Sequence, residues 1–164
     1  ITVMLVAASW IALRPLKHKQ PHLYWKALGA ILVGGIPTLA LVTQGVLDLQ
    51  PWFLPRYFIP LAGMILASCM NTVSLAAERF EAECDGAIPY IKARNIALQA
   101  ALIPVTNSLF AVGLVSLPGM MTGQILSGIS PLVAVQYQIV VMCMIFGASG
   151  MSATCYLIFA KGRP

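Results

Sequence analysis

Charged side chains are scarce in this 164-residue chain, and their scarcity excludes an ordinary water-soluble domain. Only 9% of the residues are charged, whereas 59% are hydrophobic. Soluble domains typically carry about 25% charged residues. A water-soluble core cannot absorb so much apolar surface, so the composition indicates an integral, polytopic membrane protein.

Motifs for catalysis and for nucleotide or metal binding are also absent. The sequence contains no phosphate-binding loop, no H-E-x-x-H motif, no C-x-x-C pair and no G-x-S-x-G elbow. The four cysteines lack the spacing of a zinc or redox site, which indicates free thiols. His18 and His22 are four residues apart, but Pro21 and neighbouring lysines favour a solvated loop over a metal site. We therefore expect no catalytic activity and no bound cofactor.

The net charge of +5 does not indicate a nucleic-acid partner. The cations form short clusters between apolar runs instead of lining a polar face with interspersed aromatic residues. Nine of the ten lie in a basic loop at 14–26, in the segment 78–94 or in the C-terminal tail. The alternation of spans puts all three regions on one side of the bilayer, and the positive-inside rule makes that side the cytosol.

Long uncharged runs predict the membrane spans. Residues 27–47 and 57–77 are uncharged, and each run has about the 20 residues needed to cross a bilayer. No charge occurs in 95–160, where a cluster of proline and glycine residues predicts spans near 99–117 and 134–160. Between them we expect a hairpin or half-inserted helix at 118–133, on the non-cytosolic side.

The first thirteen residues are apolar but too short to cross the bilayer. We interpret them as the end of a further span. The sequence thus predicts an all-α, polytopic transmembrane helix bundle with about four spans and a partial N-terminal span. We expect residues 1–164 to form one transmembrane domain that is an N-terminally truncated part of a larger protein.

The segment 78–94 holds four of the five carboxylates and three of the cations. Glu78, Glu81 and Asp85 recur at three and four residue spacing, so on a helix they would form one acidic stripe. Gly86 would end that helix. One interpretation is a cytosolic helix that docks on a partner through charge pairing. The other is a solvated loop that only connects two spans, which would be favoured for a charge run alone.

Polar residues within the spans are few. Asn71 and Asn107 lie in uncharged runs at similar distances from the cytosolic charges. Their amides could hydrogen-bond across helices, with about 0.6 kcal/mol per bond on average. A polar lining of a transport path is the alternative, because polar groups in membrane helices often mark one.

Sulfur and glycine residues near the hairpin give two further hypotheses. Met120, Met121 and Cys143 are weak candidates for ligands of a transition metal, although methionine in apolar packing is common. Gly119 and Gly123 have the G-x-x-x-G spacing that permits close backbone contact, as do the small residues Ala30 and Gly34. Together with Gln124, the two hairpin glycines are candidates for helix packing or for a transport path.

The second half of the chain resembles the FetB-type family of ABC transporter permeases. That family includes the plant aluminium-tolerance membrane subunits of the STAR and ALS type. The resemblance is carried by MNTVSLAAERFEAE at 70–83, by ALIPVTNSLFAVGLVSLPGMMTGQILSG at 101–128 and by SPLVAVQYQIVVM at 130–142. Its most specific part is the LPGMMTGQ run at 117–124.

The resemblance implies a permease subunit that binds a separate ATP-hydrolysing subunit, pairs with a second permease and exports its substrate. Bacterial members of the family are associated with iron efflux. Plant members are associated with aluminium tolerance and with proposed transport of UDP-glucose, a sugar nucleotide. The chain would then serve transport without catalysis of its own, with the bilayer and an ABC-type ATPase as partners.

The resemblance also favours the docking interpretation of 78–94, because ABC permeases contact their ATPase through a cytosolic coupling helix. Glu81 and Ala82, together with Gly86, resemble the start of the E-A-A-x-x-x-G loop of importer permeases, but the remainder departs from that motif and no Ile-x-Leu-Pro follows. The predicted ATPase-coupling residues are Glu78, Arg79, Glu81, Glu83, Asp85 and Gly86. The alternatives are a secondary transporter, which the lack of Asp, Glu, Lys, Arg and His in the predicted spans disfavours, and a structural subunit without an ATPase partner.

Overall fold

The computed structural model describes residues 2–14, 21–46, 55–86, 88–114 and 118–161, and every element assigned in these ranges is a helix. The helices are α1 (Thr2–Ala12), α2 (Pro21–Ala40) with a π-helical segment (Leu41–Val46), α3 (Pro55–Asp85), α4 (Tyr90–Ala111), α5 (Gly119–Leu126) and α6 (Pro131–Phe159). The predicted all-α bundle is therefore confirmed. Parts of several predictions lie outside the described residues. They are position 1 of the partial N-terminal span, 15–20 of the basic loop, position 47 of the span predicted at 27–47, position 87 of the charged segment, 115–117 of the span predicted at 99–117 and 162–164 of the tail.

Within the described ranges, three helical stretches are long and apolar enough to cross a membrane. They are His22–Gly45, Phe58–Asp85 and Pro131–Phe159, with 24, 28 and 29 residues, against the about 20 residues that a bilayer requires. They overlap the predicted spans at 27–47, 57–77 and 134–160. The chain is thus an integral membrane protein.

The other helices are either shorter or less apolar. α4 has 22 residues and overlaps the start of the predicted span at 99–117, but its first turns carry Lys92 and Arg94. α1 is an apolar helix of 11 residues. Both helices pack against α3 and are therefore part of the bundle.

The centre of the bundle is the contact of α6 with α2 and α3. At Gly34 the backbone of α2 lies almost directly on α6: a Cβ atom added there would clash with the Ser152 hydroxyl and lie 2.8 Å from the Ala148 carbonyl oxygen. Ala30, one turn earlier, is fully buried. The close approach predicted for Ala30 and Gly34 is confirmed, because only a helix without a side chain at position 34 can come so near.

Small polar groups join α3 to α6 within the core. The hydroxyl oxygens of Ser68 and Ser149 are 2.8 Å apart and share a hydrogen bond. The next residue of α3, Cys69, lies beside Ser152 of α6, and both residues are fully buried. Hydrogen bonds between membrane helices contribute about 0.6 kcal/mol each on average, so close packing contributes more to this interface than polarity does.

The bundle has a charged end, which we define as the start of α2, the α3–α4 junction and the end of α6. A Cβ atom added at Gly29 of α2 would lie 3.8 Å from the Phe159 ring of α6. Tyr90, at the α3–α4 junction, contacts Leu157 of α6. The opposite end contains the π-helical segment, the start of α3, α5 and the start of α6.

Candidate functional site

The charged segment is built from the ends of two long helices. Residues 78–85 continue α3 without a break, and α4 starts at Tyr90. Gly86 follows the last residue of α3, and the Ile88 N–H donates to the Glu83 carbonyl oxygen at 3.4 Å. Pro89 precedes α4 with φ −54° and ψ 139°, which is the extended conformation of a residue just before a helix. The segment 78–94 is therefore a helical hairpin formed by the end of α3 and the start of α4, rather than a separate helix. It is distinct from the hairpin predicted at 118–133, and 'the hairpin' below refers to 78–94.

The acidic residues of this hairpin differ in their exposure. Glu78 and Asp85 are exposed at the charged end, as is Gly86. Glu81 is only 6% exposed, because it shares a helix face with Ala77, one turn earlier, which is also buried. Glu81 therefore does not share the exposed surface of Glu78 and Asp85, although their spacing places all three in one stripe.

An ion pair fixes one exposed cation of the hairpin. Arg79 Nη2 lies 2.6 Å from Glu83 Oε1, with the two side chains 52% and 12% exposed. The residues are four apart on α3, and pairs of this kind contribute about 0.3–0.5 kcal/mol. The pair orders the Arg79 guanidinium on the helix surface without contributing much to stability.

An aromatic clasp, formed by Phe80, Tyr90 and Leu157, ties the hairpin to α6. The rings of Phe80 and Tyr90 meet edge to face, with centroids 5.8 Å apart and an angle of 84°. The Tyr90 hydroxyl donates a hydrogen bond to the Leu157 carbonyl oxygen at 2.8 Å. A displacement of the hairpin would therefore also displace the end of α6.

The sequence did not single out this clasp. An aromatic residue at the start of a span is ordinarily assigned to the aromatic belt at the membrane interface. The position of Tyr90 directly after Pro89 was the only available signal, and it does not reveal a partner 67 residues away.

The clasp gives a prediction on stability. Tyr90→Phe removes the hydrogen bond to Leu157 and keeps the ring, so we expect a loss of about 1 kcal/mol. The unfolding midpoint in detergent should fall by roughly 2–4 °C. Tyr24→Phe is the matched control, since the Tyr24 hydroxyl makes only an exposed contact of 3.4 Å with the Val6 carbonyl oxygen. An equal shift in both variants would contradict a specific role for Tyr90.

A cavity of about 380 Å³ lies at the opposite end of the bundle. It is bounded by α5, α6, the start of α3 and the π-helical segment. Apolar side chains from all four elements line it, together with the polar residues Gln124, Ser127 and Tyr137. Val140 of α6 borders the cavity and Leu157 of the same helix belongs to the clasp. At the helical rise per residue, roughly 25 Å of α6 separates the two sites.

The sulfur residues proposed as weak metal ligands do not share one surface. Met120 lines the cavity and Met121 is buried at 9% exposure. Cys143 is exposed on α6 and is not among the described residues that line the cavity. Within the described ranges, no group of three His, Cys, Asp or Glu residues could hold a metal ion. Metal binding by these sulfurs stays a prediction.

The amides and glycines singled out by the sequence have different surroundings. Asn71 and Asn107 are both exposed, on α3 and α4, so neither amide is buried between the described helices. A Cβ atom added at Gly119 or Gly123 would meet nothing within 4 Å among the described residues. The close contact that their spacing permits is therefore not formed within the described part of the chain, and Gly123 borders the cavity instead.

Comparison with known proteins finds membrane proteins of one sequence family. The sequence profile described as "Uncharacterised protein family (UPF0014)" matches residues 1–163. The chain is 37% identical to the "Probable iron export permease protein FetB" of Escherichia coli, over 94% of this chain and 64% of that protein. It is 36% identical to the "UPF0014 membrane protein STAR2" of Oryza sativa, over 92% of this chain and 56% of that protein.

A third relative is the "Protein ALUMINUM SENSITIVE 3" of Arabidopsis thaliana, which is 35% identical over 92% of this chain and 59% of that protein. The chain therefore spans less than two thirds of the length of these curated relatives. No solved structure matches the chain.

Proposed function

Because the chain belongs to the UPF0014 family of membrane proteins, we propose that it is the membrane-spanning permease part of an ABC exporter. Its relatives include a probable iron export permease. The sequence holds no phosphate-binding loop of its own, so a separate ATPase subunit would supply the energy of ATP hydrolysis.

The observation that carries this proposal is the geometry of the charged end. Glu78 and Asp85 are exposed on the last turns of α3, and the Tyr90 hydrogen bond joins the adjoining hairpin to α6. A surface that receives a partner and is tied to a long membrane helix is what a coupling element requires. The excess of cations in the same regions favours a cytosolic position for this end, where an ATPase would meet it.

The proposed mechanism involves no covalent chemistry in this chain. ATP binding would change how the partner holds the hairpin, and the clasp would carry the displacement to α6. The close contact at Gly34 would then move α2 together with α6. The ATPase can shift the permease between inward-facing and outward-facing states only if it binds the two with different affinity.

The proposed substrate is a metal ion, with iron export or a role in aluminium tolerance, or a sugar nucleotide such as UDP-glucose. The names of the relatives support the metal more directly than the sugar nucleotide. Two permease copies would form the pathway, and the exposed Asn71 and Asn107 are candidates for the surface between them. Stimulation of ATPase activity in the reconstituted full-length pair by iron, aluminium or UDP-glucose would identify the substrate.

Copurification tests the proposed partnership. The full-length protein, tagged and extracted in mild detergent, should bring down an ABC-type ATPase with a phosphate-binding loop. Its absence from the purified complex, with the permease intact, would contradict the proposal and favour a structural subunit or a secondary transporter.

A further inference from the structure

The cavity beneath α5 has the size of a site for a small molecule. Its volume is about 380 Å³, and small-molecule sites commonly measure about 300–1,000 Å³. Its walls come from α3, α5, α6 and the π-helical segment, so secondary structure surrounds it on several sides.

One polar atom in the wall lacks a partner. The Oε1 atom of Gln124 is buried and accepts no hydrogen bond from any described residue, and Gln124 lines the cavity. A buried acceptor that gains no hydrogen bond is unfavourable, because it has lost its hydrogen bonds to water without replacement. A ligand in the cavity could satisfy it by donating a hydrogen bond.

A second unsatisfied acceptor lies on α6, next in sequence to a residue of the cavity wall. Gln138 is only 4% exposed, and its Oε1 atom has no partner within the described part of the chain. It directly follows Tyr137, which lines the cavity, and precedes Val141 by about one turn. Gln138 is not among the described residues that line the cavity, so Gln124 is the acceptor on which the ligand site is argued.

The lining also restricts the charge of the ligand. None of the described residues that line the cavity is charged, and an ion that leaves water without a counter-charge loses a large hydration free energy. A free cation or a phosphate is therefore disfavoured, and a neutral molecule fits the wall.

We infer that this cavity binds a small, neutral and mostly apolar molecule whose hydroxyl or amide group donates a hydrogen bond to Gln124. The proposal concerns binding alone and does not depend on ATP-driven transport. A cavity that binds a neutral molecule is distinct from the site at which iron or a sugar nucleotide would bind.

The test uses photolabelling of the full-length protein in lipid nanodiscs with an octanol that carries a diazirine group. Labelling of α5 and the start of α6, located by mass spectrometry, should saturate and be competed by 1-octanol but not by octane. In Gln124→Leu, the concentration of 1-octanol needed for competition should rise about tenfold, as expected for the loss of one hydrogen bond. Gln136→Leu is the matched control, because Gln136 is an exposed residue of α6.

A second pair of variants tests the cavity itself. Gly123→Leu should fill the space, since a Cβ atom there meets nothing within 4 Å among the described residues and the residue lines the cavity. Gly119→Leu, with the same open space at its Cβ position, should leave labelling unchanged. Labelling that does not saturate, or that the control variants reduce as much as Gln124→Leu and Gly123→Leu do, would overturn the proposal.

Discussion

Replacing Gly34 by Ala should destabilise the protein by about 3 kcal/mol, at the upper end of the usual cost of overpacking. The added methyl group would lie 2.8 Å from both the Ala148 carbonyl oxygen and the Ser152 amide nitrogen. Neither contact can be relieved by a side-chain rotation, because both atoms belong to the α6 backbone. The two helices would have to separate, which would disturb the centre of the core.

Gly150→Ala is the matched control for this variant. Gly150 lies on α6, and a Cβ atom there meets nothing within 4 Å in the described part of the chain. Replacing a helical glycine by alanine without a clash should be neutral or stabilise by up to about 1 kcal/mol. Thermal unfolding in detergent should show the midpoint of Gly34→Ala lowered by roughly 6–12 °C. Similar midpoints for the two variants would contradict the close contact of α2 with α6.

Reversing the two exposed acids of the charged end should uncouple the proposed ATPase. In the variant Glu78→Lys/Asp85→Lys, two carboxylates available to the partner become cations. Opposed like charges at an interface cost several kcal/mol, so stimulation of the ATPase by the permease should fall at least about tenfold. Glu81 is left unchanged because it is buried, and its reversal would disturb packing as well as coupling.

Lys161→Glu provides a control for a change of charge alone. Lys161 is exposed just beyond α6, outside the hairpin. Membrane insertion and yield should be equal in all variants, and stimulation should be lost only in the double variant. Full stimulation by the double variant would show that these acids do not contact the ATPase.

The membrane class and the helical architecture could be predicted from the sequence, because they follow from the scarcity of charged residues and from the length of the uncharged runs. Uncharged runs of about 20 residues leave few alternatives to a transmembrane helix. The small residues Ala30 and Gly34 likewise pointed to a close helix contact, since little else explains their spacing in an apolar run.

The candidate sites were less predictable, because they depend on which helix faces meet. Glu81 appeared equivalent to Glu78 by spacing, yet it lies on the face that α3 buries. Gly119 and Gly123 had the spacing of a contact motif, but no described residue approaches the Cβ position of either. The Tyr90 hydrogen bond joins residues 67 positions apart, and no local pattern encodes such a pair.

Photocrosslinking tests the proposed docking surface most directly. A photoreactive amino acid placed at position 78 or 85 of the full-length protein, coexpressed with the proposed ATPase subunit, should crosslink to that subunit. The same residue at position 130, which is exposed at the opposite end before α6, should not. Crosslinks from 78 and 85 alone are the result we predict. Equal crosslinking from position 130, or none from 78 and 85 in an active complex, would contradict the account.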